Sequence, residues 1–140
     1  RKLWPVPDLS ALLRSPVWSG TRARSDDFTH RHQEGPHVHL DAYWWLPVVG
    51  LHTGMRLEEI AQLRHDDLAV DGEGRAFLRV TDTGEGQRLK TESSRRAVPV
   101  HPLLAGLGFT RLFVPGRRGW LFPELKLAGR PPKRGGQYSE

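Results

Sequence analysis

Cysteine is absent from the 140 residues. Its absence excludes disulfide stapling, thiol catalysis and any cysteine-ligated zinc site. Long apolar runs are absent as well. The longest, Ala42 to Leu51, is interrupted by Pro47 and followed by His52, well short of the ~20 residues that cross a bilayer. No membrane partner is expected, and the first residues carry no signal-peptide pattern. There is no Walker-type phosphate loop and no dinucleotide fingerprint, so no nucleotide cofactor is expected. Ser93 and Ser94 lack a Gly-x-Ser-x-Gly elbow and read as turn residues rather than a nucleophile.

The chain does hold an excess of positive charge, with 21 Lys+Arg against 16 Asp+Glu and a net charge of +5. Its layout says more than its size. From Asp41 to Glu92 there are ten acidic and six basic residues, so the middle is acidic. The basic residues gather in the flanks, at Arg1, Lys2, Arg14, Arg22 and Arg24, and again from Arg111 through Arg117, Arg118, Lys126, Arg130, Lys133 and Arg134. Basic flanks suit a protein that grips a polyanion at its edges. Seventeen of the 21 basic residues are Arg, whose fork binds phosphate bidentately. A hydrophobic share of 37% with five Trp and five Phe excludes wholesale disorder, and the length suits one modest core.

Periodicity divides the chain into an arm or linker (1–40), a central domain (41–127) and a basic solvated tail (128–140). Leu9, Leu12 and Leu13 make a short helical turn, and Ser15 to Pro36 reads as a loop. Asp41 to Thr53 reads as a buried helix with Asp41 as N-cap, stopped at Thr53-Gly54. A second helix is expected from Met55 to Leu63 or beyond, with Leu57, Ile60, Ala61 and Leu68 on its apolar side. Asp71-Gly72-Glu73-Gly74 is a turn. Three strands are expected at 76–81, 88–91 and 95–100, then a short helix from His101-Pro102 to Leu107. The fold class is α+β, mainly helical with a small three-stranded antiparallel meander.

Two segments carry chemistry. In Thr53-Gly54-Met55-Arg56-Leu57-Glu58-Glu59-Ile60, a turn glycine delivers Arg56 into the first turn of a helix, where backbone N–H groups already favour anions. Glu59, three residues on, lies on the same face and can hold the guanidinium. In Arg88-Leu89-Lys90-Thr91-Glu92-Ser93-Ser94-Arg95-Arg96-Ala97-Val98-Pro99-Val100, Lys90 stands beside a tight turn and can swing over a bound backbone. Its ammonium can donate a proton to a leaving oxygen. Arg95 and Arg96 follow on the next strand, within reach of phosphates. Read blandly, both segments are solvated surface whose charges keep the edge soluble.

The two segments in this order, with Tyr43 to Leu68 and Leu121-Phe122-Pro123-Glu124-Leu125 around them, resemble the tyrosine recombinases, the site-specific phage integrases of mobile elements. The resemblance covers roughly Asp41 to Leu125. It implies that Arg56 clamps the scissile phosphate, Glu59 supports that arginine, and Lys90 protonates the departing 5′ oxygen. It also implies double-stranded DNA as partner, self-association on DNA in the intact enzyme, no metal, no cofactor, and a bacterial cytoplasmic setting on the nucleoid. Phosphoryl transfer without metal needs cationic side chains to absorb developing charge. Arg95, Arg96, Arg117 and Arg118 are further expected DNA contacts.

The chain departs from that family in one large respect. No His-x-x-Arg follows Lys90, since His101 is followed by Pro102, Leu103 and Leu104. Neither Tyr43 nor Tyr138 holds the nucleophile's place. The expectation is therefore the first half of a catalytic domain, without its nucleophile, acting in DNA recombination and integration. A noncatalytic DNA-binding module or remnant is the competing reading. A third is a metal-binding arm built on His30, His32, His37 and His39, although no Cys or acidic pattern accompanies them. Trp18, Trp44, Trp45 and Trp120 can stack bases, but Trp44 and Trp45 lie in the most apolar helix and suit a core.

Overall fold

The computed structural model describes residues 5–24, 29–128 and 132–136. Among them are five α-helices and a three-stranded antiparallel sheet, a mixed α+β arrangement. The chain divides into two compact units, Arg1–Trp44 and Trp45–Glu140. None of the described helices is long and apolar enough to cross a membrane.

In the first unit, α1 (Val6–Leu13) and α2 (Pro16–Ser19) each open with proline in the first turn, where its missing N–H breaks no bond. The stretch expected as a loop is more ordered than its lack of periodicity suggests. Thr21 is fully buried and exchanges backbone hydrogen bonds with His37 at 2.7 and 3.0 Å. Arg31, 5% exposed, meets Asp41 at 2.6 Å. The other oxygen of Asp41 accepts the Tyr43 N–H at 3.1 Å, so this aspartate caps α3 (Ala42–Thr53) as expected.

The second unit takes in the rest of α3, with Trp45, Leu46, Val48 and Val49 buried. Gly54, at φ +64, turns the chain after Thr53, a conformation that glycine adopts without strain. The second helix is shorter than its apolar spacing predicts. α4 spans Leu57–Ala61, and Leu68 lies outside it, opening β1 (Leu68–Val70). The reason is local. Asp67 accepts the Arg64 N–H at 2.8 Å, closing a 3-10 turn over His65–Asp67 that redirects the chain. Asp71 then accepts the N–H groups of Glu73 and Arg75, both at 2.9 Å, and makes the predicted turn a hairpin between β1 and β2 (Ala76–Val80).

The third strand, β3 (Arg96–Pro99), pairs directly with β2. The strand expected at 88–91 does not form. Its backbone is satisfied by a side chain instead: Gln62 donates to the Arg88 carbonyl at 2.7 Å and accepts the Arg88 N–H at 2.8 Å. Leu78, aligned between Leu68 and Val98, centres the sheet's buried face. α5 (Pro102–Gly106) is capped by His101, whose ring accepts the Leu103 N–H. Phe109 is buried between Trp45 and Phe113, with ring centroids 5.3 and 5.4 Å away.

The expected solvated tail is exposed at 132 and 133 but is corrected at Arg134 and Gly135, which are buried. Arg134 is only 8% exposed. It donates to the carbonyls of Ala61 and Phe122 and stacks on Trp120, 4.3 Å from the ring centroid, with Arg64 at 5.1 Å. Glu58 accepts the N–H groups of Arg134 and Gly135 at 3.0 and 2.7 Å. Glu58→Ala is expected to cost about 1–3 kcal/mol in urea unfolding, because two inward N–H groups lose their acceptor. Hydrogen exchange should show Arg134 and Gly135 losing protection with the core unchanged, and unchanged protection there would refute the docking.

Candidate functional site

The site is built around one buried carboxylate. Arg56 precedes α4 in extended conformation, φ −71 and ψ 149. Its N–H donates to Glu59 Oε2 at 2.9 Å, so the amide expected to greet an anion is already occupied. α4 has five residues, and anion affinity here rests on side chains.

Glu59 was expected to hold the Arg56 guanidinium. Its main guanidinium partner is Arg96, from the start of β3. Arg96 Nη1 and Nη2 donate to Glu59 Oε1 and Oε2 at 3.1 and 2.8 Å, a bidentate pair. Arg56 Nη1 stays 3.5 Å from Oε1. It donates instead to Ser94 Oγ at 3.2 Å. Arg96 Nη1 also donates to the Ser94 carbonyl at 3.0 Å. Arg56, Glu59, Arg96 and Ser94 therefore form a closed ring of polar contacts.

Exposure separates the roles. The Glu59 side chain is 4% exposed, Arg96 38% and Arg56 60%. Burial alone would raise the Glu59 carboxyl. Hydrogen bonds from Arg96 and the Arg56 backbone, with the charges of both arginines, outweigh it and hold the group below its ordinary 4.5. The Glu59 bond in turn raises Arg96. Two guanidiniums against one carboxylate leave one positive charge in excess, at the exposed Arg56.

Lys90 is exposed, on an irregular loop rather than a strand end. That loop is fastened on both sides. Upstream, Gln62 holds Arg88, and Gln87 donates to the Gln62 carbonyl and Asp67 at 3.0 and 2.8 Å. The Gly84 N–H donates to the Gln87 amide oxygen at 3.0 Å, and a side chain at Gly84 would displace that amide. Downstream, Thr91 Oγ1 lies 2.9 Å from Ser94 Oγ, the acceptor of Arg56. Burial raises Asp67 despite its bonds from Arg64 and Gln87.

The remaining expected contacts scatter. Arg95 pairs with Asp82 at 2.7 Å, and their hydrogen bond raises the arginine and lowers the aspartate. Arg117 and Arg118 are exposed on the turn leading to Gly119, whose carbonyl accepts the His65 N–H beyond the C-terminal end of α4. Burial, then the Arg117 charge, lowers the His65 ring. Tyr43 is half-buried on α3, and Tyr138 lies outside the described residues. In the arm, the His37 and His39 rings are 6.0 Å apart and His39 Nε2 bonds the Ala23 carbonyl at 2.8 Å. Among the described residues no three His, Cys, Asp or Glu side chains gather as metal ligands. Trp45 is core, and Trp120 carries arginines.

Sequence reasoning assigned Ser94 only to a turn. It does end the 3-10 turn Glu92–Ser94, but its buried hydroxyl also seats Arg56. The Ser94 hydroxyl lies against a guanidinium and a second hydroxyl, which makes it a seat for Arg56. Together the arrangement offers an exposed fork to an oxyanion, with exposed Lys90 on the loop that leads to Ser94. Compared with protein-family models, curated proteins and solved structures, the chain matches none.

The lowered Glu59 carboxyl has a pH consequence. Its stabilisation is full above about pH 4.5 and is lost as pH falls through the lower folded value. Urea unfolding from about pH 6 to 3 should show wild type losing stability more steeply than Glu59→Gln, which is weaker at neutral pH by about 1–3 kcal/mol. Parallel curves would show that Glu59 is not the ionised partner.

Proposed function

We propose that the Arg56 site binds a backbone phosphate of double-stranded DNA and serves strand breaking and rejoining of the tyrosine-recombinase kind. Arg56 clamps the scissile phosphate, Glu59 and Ser94 seat it, and Lys90 protonates the departing 5′ oxygen. The intact reaction would pass through a 3′-phosphotyrosyl link, without metal or nucleotide, in a self-associated complex on bacterial DNA. The observation that carries this reading is an arginine both seated and open. Its fork is 60% exposed while its contacts run to a buried carboxylate and a buried serine. The resemblance of the Arg56 and Lys90 segments to the integrases supports it. So does the fastening of the Lys90 loop to α4 through Gln62 and Ser94.

The absence of a His-x-x-Arg box and of a tyrosine in the nucleophile's place favours a second reading, a noncatalytic DNA-binding module. Both predict phosphate binding, so binding is the first test. Fluorescence anisotropy on a labelled duplex should show salt-dependent affinity that Arg56→Ala lowers about tenfold, with the salt slope reduced by about 1. Affinity indifferent to Arg56→Ala would sink both readings. On a suicide substrate this 140-residue chain is expected to form no covalent adduct. An adduct would reveal a nucleophile that the present assignment lacks.

A further inference from the structure

We propose that Arg96 is a positioning residue that occupies Glu59 so that Arg56 stays open to phosphate, rather than a DNA contact itself. This rests on reading Arg56 as the clamp. A buried carboxylate three residues after an arginine is its natural trap. Left alone, Glu59 would draw the Arg56 fork into a bidentate pair and cancel its charge. The geometry shows the trap already filled. Both Glu59 oxygens accept from Arg96, at 3.1 and 2.8 Å, and Arg56 Nη1 is left at 3.5 Å.

Arg96 is aimed there by the sheet. Side chains two apart on a strand share a face, so Arg96 lies on the side of buried Val98, opposite Arg95 and Ala97. Its third bond, to the Ser94 carbonyl, fixes the residue whose hydroxyl seats Arg56. One side chain thus acts on Arg56 twice, by saturating the competing carboxylate and by holding the competing seat in place. Lysine keeps the charge but cannot reach two carboxylate oxygens and a carbonyl as a planar fork can.

A mutant cycle on a labelled duplex, read by anisotropy over a salt series, tests this. Arg96→Gln should weaken binding about tenfold, as loss of one charged contact does. In the Arg56→Ala background the same change should add less than about twofold. Adding Glu59→Gln to Arg96→Gln empties the trap and should restore affinity to within about threefold of wild type. A structural role alone would predict a further loss. Additive losses from Arg56→Ala and Arg96→Gln, with a second unit gone from the salt slope, would make Arg96 a phosphate contact and overturn the proposal. Side-chain NMR of free protein provides an arm without DNA. The Arg56 Nε–H signal should shift and gain protection in Arg96→Gln, with the remaining spectrum close to wild type. An unmoved Arg56 signal overturns the proposal even if DNA binds. A moved signal in a protein whose DNA affinity ignores Arg56 supports the positioning role and rejects the clamp reading alone.

Discussion

An ionised carboxylate cannot remain buried without donors arranged around it, and Glu59 imposes that demand on this unit. Desolvating such a group is worth several kcal/mol against folding unless hydrogen bonds and opposite charge replace the lost water. Here the replacements come from two residues 40 positions apart. The Arg56 backbone supplies one donor, the Arg96 fork supplies two, and the Arg56 side chain adds its field. Each contribution fixes a piece of backbone. α4 must begin where Arg56 can cap onto Glu59. β3 must begin where Arg96 faces inward. The Ser94 turn is then held between the two arginines.

A helix of five residues has no stability of its own, because nucleation is unfavourable and propagation too brief to recover it. α4 is held by what surrounds it. Ile60 and Ala61 are buried, Glu58 receives two backbone N–H groups from 134–135, and Gln62 acts as a local strand partner for Arg88. Three functions, anchoring residues 134–135, centring the Arg56–Arg96 ring and fastening the Lys90 loop, thus fall on Glu58, Glu59 and Gln62. A short helix secured from several sides can present Arg56 and the Lys90 loop together, which neither element could do alone.

The legible parts of this fold were those with strictly local causes. Asp41 as a cap, Gly54 as a stop, the Asp71–Gly74 turn and the His101-Pro102 helix start each depend on neighbours within a few residues. The illegible parts depend on distant partners. Leu68 continues the apolar spacing of α4, and only Asp67 closing on Arg64 reveals that the helix has ended. The 88–91 segment has strand-like composition, but an amide side chain 26 residues away takes its backbone. Residues 134–135 look solvated because a buried Arg is recognised only with its carbonyls and Trp120 in place. Arg96 is the intermediate case. It was expected at phosphate, yet it shares the side of buried Val98 and pairs with the buried Glu59 carboxylate.

That partnering changes what the chain's charge means. A count of 21 basic and 16 acidic residues suggests a modest surplus spread over the surface. The pairs that form are selective. Asp82 takes Arg95, Asp71 takes Arg75, and Glu59 takes Arg96. In the Arg88–Val100 segment, the two arginines that looked most available for phosphate are therefore committed to carboxylates. Arg56, in the Glu59 ring, keeps most of its surface in solvent, and Lys90 is exposed on the fastened loop. Mid-chain acidity and a phosphate-binding site are compatible for this reason. Glu59 takes up the Arg96 fork and leaves that of Arg56 60% exposed.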